Sequence, residues 1–475
     1  MTTPAPSPAS AHAALRGLWN DAGLPADGLD AIDLSGSGPV LPSSFAVADA
    51  IQASMAAAAG IAAELWHRRH GRRQRVHVPR EHAVLESCAH FTLDGAAPQL
   101  WDKLSGLYPC GAEAGETGWV RLHANFAHHR DGALRLLGCP PGEGTGRDEV
   151  ELALRRWRAE DLETAAAEAG LVLAAVRSFE AWDRHAQGQA VRAAPLVRIE
   201  RIGDAPPQRW PAAAAHQRPL HGLRVLELTR ILAGPVAGRT LAAYGAELLL
   251  INSPALPNIE AIAETSRGKR SAWLDLRQEA DRDTLRRLVK EAQVFLQGYR
   301  PGGLAALGFG PDELARLRPG IVAVSLSAYG PDGPWAGRRG FDSLVQSATG
   351  FNLAEAEAAG DSAPRAFPLQ ALDYAAGYLL AFGAQAALAR QAREGGSWHV
   401  QVSLAGVAHW LRGLGRVDGG FAVQAPSFEP YRISEPSGFG RLVTIGHAAR
   451  FSETPAHCRW PSMPPGTHPA TWSTD

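Results

Sequence analysis

From residue 223 to 330 short apolar runs alternate with amphipathic stretches. "LRVLEL" (223–228), "AELLLIN" (246–252), "SAWLDL" (271–276), "VFLQGY" (294–299) and "GIVAVSLSAYG" (320–330) have the length of strands. "VAGRTLAAYG" and "ADRDTLRRLVKEA" (280–292) carry helical spacing between them. Strands alternating with helices of this size predict βαβ units and a parallel sheet. Ligands of such sheets sit beyond the carboxyl ends of the strands, which points to the loops at 229–235 and 297–303.

The N-terminal part reads differently. Residues 1–40 are rich in Pro, Ala, Ser and Gly and read as a flexible leader. "GWVRLHANF" (118–126) reads as a strand and "RDEVELALRRW" (147–157) as a helix, and 159–182 reads helix, strand, helix. This is a smaller α+β domain, placed at 41–205. A Pro/Ala-rich linker follows at 206–220, and the main α/β domain with its tail occupies 221–475.

One pattern occurs twice. Residues 47–78 and 371–402 stay in step without a gap, with Asp49 under Asp373. Each copy is an acid, an Ala-rich helix, a Gly and a Val-x-Val strand. Only eight of thirty-two positions are identical, several of them Ala.

Composition narrows the function classes. The 475 residues are 45% hydrophobic and 20% charged with net charge −1, an ordinary globular balance without a field to recruit nucleic acid or an anionic membrane. "HRRHGRRQRVHVPR" (67–80) is basic but lacks interleaved stacking aromatics, so it reads as a solvated helix end and strand. Cys88, Cys110, Cys139 and Cys458 show no metal-finger spacing, and His123, His128 and His129 lack a completing ligand set, so they read as surface or domain-contact residues. Neither a secretory signal nor an apolar run of spanning length is evident, and a cytoplasmic protein without a resident metal or cofactor is expected.

The loops carry the candidate chemistry. "TRILAGPVAG" lacks the G-x-G-x-x-G of a nicotinamide site, while Gly234 permits close backbone approach and Pro235 suits a helix start. An ordinary βα turn is equally consistent. In "SRGKRS", Arg267, Lys269 and Arg270 are either a solvated basic face or donors to a phosphate-bearing ligand.

Taken in order, "LRVLELTRILAGP", "SRGKRSAWLDL", "GYRPGGLAALGFGPDELARLRPGIVAVSLSAYGPDGPWAGRRGFDSLVQSATG" and "LDYAAGYLLAFGAQAALARQ" closely resemble the class III coenzyme A transferase family, the carnitine/bile-acid group. The resemblance covers about 220–410 and resumes at 451–468. It implies a doubly wound, Rossmann-like α/β sheet domain and a smaller α+β domain in an interlocked architecture, acyl-CoA and a small carboxylic acid as substrates, and coenzyme A as substrate in place of a permanently bound cofactor. It further implies Asp373 as the aspartate that carries CoA. Without it, Asp373 reads as a helix cap. The coenzyme contacts it implies are Ile231, Leu232, Ala233, Arg267, Lys269, Arg270, Leu274, Tyr299 and Arg300. Asp342 and Arg338 flank a turn beside the site. The α-methylacyl-CoA racemase branch needs a His where this chain has Phe341.

Several positions depart from the family pattern. Leu250, Ile251, Asn252 and Ser253 replace its Lys-Ile-Glu and the Arg after it, Gly298 replaces an Asn, and Ala306 an Arg. Each removes a contact to CoA, so a non-catalytic CoA-binding scaffold is the rival expectation. The small domain that normally follows Trp410 resembles 118–182 instead. The chain therefore reads as two incomplete copies in tandem, interlocking with each other or in a homodimer, with Asp49 a non-catalytic counterpart of Asp373.

Overall fold

The computed structural model describes residues 10–208, 210, 214 and 216–473. From the N-terminus come α1 (Ala11–Asp21), β1 (Ile32–Ser35), the long α2 (Val47–His70), β2 (Val76–Pro79), α3 (Arg80–Glu86) and β3 (Phe91–Leu93). A small α+β layer follows: β4 (Gly106–Cys110), β5 (Gly118–Leu122), α4 (Ala127–Leu137), α5 (Arg147–Leu154), α6 (Ala159–Glu168) and β6 (Leu173–Ala175). Then α7 (Phe179–Arg184), α8 (Ala186–Ala193) and β7 (Arg198–Gly203) lead out of it.

The alternating segment forms β8 (Arg224–Leu228), α9 (Ala233–Ala243), β9 (Glu247–Asn252), α10 (Ile262–Thr265), β10 (Arg270–Trp273) and α11 (Glu279–Glu291). It continues through β11 (Val294–Gln297), α12 (Pro311–Leu317), β12 (Val322–Ser327), α13 (Asp342–Ala348), α14 (Phe351–Ala359) and the long α15 (Ala371–Glu394). The chain ends with β13 (Ser397–Ser403), α16 (Leu404–Gly413), β14 (Arg432–Ser437), β15 (Gly440–Ile445) and β16 (Arg450–Phe451).

Seven strands make the main sheet in the order β10-β9-β8-β11-β12-β13-β7, parallel except for β7. Val294 sits opposite Val225 on one side and Val322 on the other, so the central strands are buried apolar runs. Helices cover both faces. Residues of α9 and α15 join the largest core cluster, while Leu285, Leu288 and Val289 of α11 pack on the opposite face. Among the described residues no helix is long and apolar enough to cross a membrane.

The repeated unit keeps its register in three dimensions. The helices α2 and α15 are each 24 residues and begin 324 positions apart, as do α3 and α16. Both long helices are Ala-rich and buried nearly all round, and they pack on each other in the most extensive helix pair of the molecule. Gln385 of α15 donates to the Ala58 carbonyl of α2 at 3.1 Å. The small sheet β1-β2-β16 reproduces the edge β12-β13-β7: a parallel pair flanked by one antiparallel strand.

That edge strand is exchanged. β7, from the first segment, completes the sheet of the second, and β16, from the tail, completes the sheet of the first. β15 likewise pairs with β3. Two sequence expectations need correction here. The break at 206–220 divides the chain in sequence but not in space, and Arg209, Pro211–Ala213 and Ala215 of that stretch lie outside the described residues. The leader is not flexible over 11–35: α1 buries Ala11, Ala14, Leu15, Leu18 and Trp19, the spacing of a core-facing helix. Residues 1–9 lie outside the described part.

Candidate active site

Asp373 is the third residue of α15, where the positive end of the helix favours a carboxylate. Its position along the axis is fixed by Gly377, at which a Cβ would stand 2.7 Å from Val236 and 2.8 Å from the Ala233 carbonyl. The bare glycine lets α15 press onto the first turn of α9, which brings Asp373 to the loop after β8. That loop is strained. Ile231 is a β-branched residue at φ +76°, a conformation that costs on the order of 1–3 kcal/mol.

Asp373 lines a cavity of about 250 Å³. Its walls come from loops beyond the carboxyl ends of β8, β11 and β12, from 338–341 ahead of α13, and from Phe126, His128, His129 and Val172 of the α+β layer. A second cavity of about 380 Å³ adjoins it, sharing Arg300, Pro301, Leu326 and Ser327. Four guanidinium groups, those of Arg230, Arg300, Arg338 and Arg339, border the first cavity. Only Arg338 has a carboxylate partner among the described residues, Glu163 at 3.6 Å. Burial lowers the Arg230 and Arg339 pKa values, and the charge of Arg300 adds to the lowering of Arg339.

The acid itself is unusual. Asp373 is 8% exposed, and among the described residues no donor reaches its carboxylate oxygens. Its backbone N–H donates to Oδ2 of Asp342 at 2.9 Å, and Gln346 donates to the other oxygen of Asp342. Burial pushes Asp342 up to about 6. Burial, then the charge of Asp342, pushes Asp373 well above the usual carboxylate range. A pair of buried carboxylates, one of them raised further by the other's charge, is a frequent mark of a functional site.

Of the residues expected at the coenzyme, Ile231, Leu232, Ala233, Tyr299 and Arg300 line the cavity together with Asp373. Arg267, Lys269, Arg270 and Leu274 do not. Lys269 is fully buried, 2.8 Å from Glu227 Oε2 and donating to the Pro235 carbonyl at 2.8 Å. Arg267 is 1% exposed and pairs with Glu264 at 2.9 Å. Arg270 donates to the Thr471 carbonyl at 2.7 Å, and Leu274 belongs to the core beneath α11. Their charges answer buried glutamates and carbonyls of the fold. Pro235, expected at a helix start, is the third residue of α9.

Other residues were undervalued. Arg230 and Arg339 adjoin motifs already singled out, "ILAGP" and "GFD", and their positive charge beside those loops was the available signal. His128 and His129, read as surface or domain-contact residues, lie in the cavity wall where the α+β layer meets the loops of the sheet. Both ring nitrogens of buried His129 are without hydrogen-bond partners, and burial pushes its pKa down to about 4. Phe341 lines the cavity and stacks on His123 at 3.9 Å, with no proton-accepting atom to offer. Asp49 is occupied: it accepts from Ala11 N at 2.9 Å and from Arg80 at 2.6 Å. The basic stretch around it is also tied down, by Glu64, Asp27 and Glu453 among others.

Comparison with known proteins adds similarity to CoA-transferases. An acyl-CoA transferase of Gibberella moniliformis is 32% identical over 313 residues, covering 62% of this chain and 54% of its own. An acetyl-coenzyme A transferase of Hypoxylon pulicicidum is 35% identical over 219 residues, covering 44% and 37%. A succinate–glutarate CoA-transferase of Agrobacterium fabrum is 32% identical over 260 residues, covering 49% and 64%. The chain thus spans between about a third and two thirds of the length of these relatives. The loops that build the cavity after β8, β11 and β12, and Asp373 itself, fall within residues 220–416, the stretch that matches the model of CoA-transferase family III.

Proposed function

We propose that this protein is an acyl-CoA:carboxylate CoA-transferase acting through an aspartyl-CoA thioester on Asp373. The observation that supports it is a buried carboxylate without donors on its oxygens, facing an arginine-rimmed cavity at the carboxyl ends of parallel strands. The guanidinium groups of Arg230, Arg300 and Arg339 meet the phosphates and the free carboxylate. The backbone of 231–233 and Tyr299 hold the coenzyme near Asp373.

Chemistry follows from the acid's surroundings. An Asp373 oxygen attacks the thioester carbonyl, the C–S bond breaks, and CoA thiolate leaves a mixed anhydride. The thiolate attacks the Asp373 carbonyl, releasing the donor as its carboxylate and leaving an aspartyl-CoA thioester. The acceptor carboxylate attacks that thioester and expels CoA thiolate again. Return of the thiolate to the acceptor carbonyl yields the new acyl-CoA and restores Asp373. A desolvated carboxylate with no donor on its oxygens is a stronger nucleophile than a hydrated one, and its raised pKa has the same origin. We read the chain as two incomplete copies of the carnitine/bile-acid type packed on each other, one site per chain, in the cytoplasm.

Trapping tests the reading. The protein is mixed with a panel of acyl-CoAs, quenched with hydroxylamine and mapped by peptide mass spectrometry. A hydroxamate on Asp373, absent in Asp373→Asn, is expected. CoA binding with no adduct on any residue refutes turnover and leaves a CoA-binding scaffold. Exchange of the α-proton without acyl transfer refutes it in favour of the racemase.

A further inference from the structure

Away from this cavity, Glu86, His447 and Cys458 form a second cluster. The Cys458 Sγ lies 3.5 Å from His447 Nε2, and His447 Nδ1 lies 3.2 Å from Glu86 Oε1. The other Glu86 oxygen accepts from Ala448 N at 2.7 Å, so the carboxylate is anchored. The three residues come from α3, the turn after β15 and the tail, and no element of the proposed mechanism uses them. Cys458 is half-buried, packed at the turn containing Gly268, and the His447 side chain is 13% exposed.

We propose that Cys458 is a nucleophilic thiolate site, armed by His447 and Glu86, that accepts an acyl group from an acyl thioester. Glu86, ionised, can only accept, which sets Nδ1–H toward it and leaves Nε2 to take the thiol proton. A nucleophile, a base and a group that orients the base are the parts of an activated thiol. The thiolate then attacks the thioester carbonyl and the C–S bond to the leaving thiol breaks. The proton held on Nε2 goes to the departing thiolate. No oxidant or reductant is needed, because one thioester replaces another.

Electrostatics agree. Glu86 is buried, yet His447 and Arg239 hold it near 2. Burial alone would raise the Cys458 thiol, but its hydrogen bond to His447 and the charges of His447 and Arg267 outweigh that and lower it. Glu435 opposes them, and Lys269 and Arg218 also lie within its field. Burial pushes Cys88 up to about 12 and Cys110 to about 11, and raises Cys139. The four thiols therefore serve as each other's controls.

The choice of an acyl-CoA as donor rests on the proposed function, but the reactivity rests on the cluster alone. Two arms separate them. In the first, iodoacetamide is added to the full-length protein between pH 5.5 and 9, and alkylation of each cysteine is followed by peptide mass spectrometry. Cys458 is expected to react at least about tenfold faster at pH 7 than the other three, and His447→Gln to abolish that lead. Equal rates at all four sites overturn the proposal, and that comparison needs no variant to fold. In the second, acetyl-CoA is added to Asp373→Asn, and a hydroxylamine-labile acetyl group on Cys458 is expected. Fast alkylation with no acetylation overturns the acyl-acceptor role. Acetylation that requires Asp373 overturns direct attack by the thiol.

Discussion

Lys269 separates two readings of the "SRGKRS" segment. As a phosphate contact its loss would weaken CoA binding and leave stability alone. The structure instead buries it fully against Glu227, with the Thr229 hydroxyl 2.5 Å from the same carboxylate. Replacing it by Met in Lys269→Met leaves Glu227, itself 0% exposed, with a single hydroxyl donor in the core. Breaking a buried pair from one side costs about 3–5 kcal/mol, because the remaining charge is left without compensation. With a urea m-value near 3 kcal/mol/M, the unfolding midpoint falls by about 1–1.7 M. Removing both charges in Glu227→Gln/Lys269→Met takes away the orphaned ion, so at least half of the loss is expected back. CoA binding weakens as well, because Lys269 also holds the Pro235 carbonyl and with it the start of α9. Urea titrations of the two variants, followed by tryptophan fluorescence, measure this. An unchanged midpoint together with a CoA affinity reduced more than tenfold would refute the burial argument and restore the phosphate contact.

Two further outcomes follow from the site. Asp342→Asn removes the like charge next to Asp373, so the acid limb of kcat/KM moves to lower pH, since Asp373 then ionises more easily; a limb that stays in place or moves upward contradicts the coupling. Arg300→Ala and Arg339→Ala each take one unpaired cation from the rim, worth about 1 kcal/mol, so CoA binds roughly fivefold more weakly with an unchanged melting temperature. Calorimetric titration at two salt concentrations checks this, with a shallower salt dependence expected in each variant.

The sheet was legible because its central strands are buried on both faces, and continuous apolar runs such as 223–228 and 294–297 show it directly. The basic segment before β10 was misread although its explanation stood nearby. A glutamate inside the apolar run "LRVLEL" must find a cation if that strand is central. Glu227 therefore announced Lys269, and Glu264 announced Arg267 in the same way. The leader was misjudged because its Pro- and Ala-rich composition hid a spacing of 11, 14, 15, 18 and 19 that is plainly a helix face. The histidines of the cavity wall were legible as surface or domain-contact residues but not as part of a cavity. Their place depends on how the α+β layer closes over the sheet, a long-range packing that no local pattern encodes.

The repeated aspartate shows where local sequence stops deciding chemistry. Asp49 and Asp373 occupy the same position of helices equal in length, and each helix is buried among alanines. Yet Asp49 is tied to Arg80 and to the first amide of α1, so its charge is compensated and its lone pairs are engaged. Asp373 has Asp342 next to it, which repels its charge, and an open cavity in front. Both partners are specified outside the repeat's helix: Arg80 opens α3 and Asp342 opens α13. The residue at position 404, which corresponds to Arg80 in the repeat, is a leucine lining the cavity, so no cation reaches Asp373 from there. The two aspartates therefore differ through what the next helix presents: Arg80 bonded to Asp49, and Leu404, an apolar side chain, in the wall of the cavity that Asp373 lines.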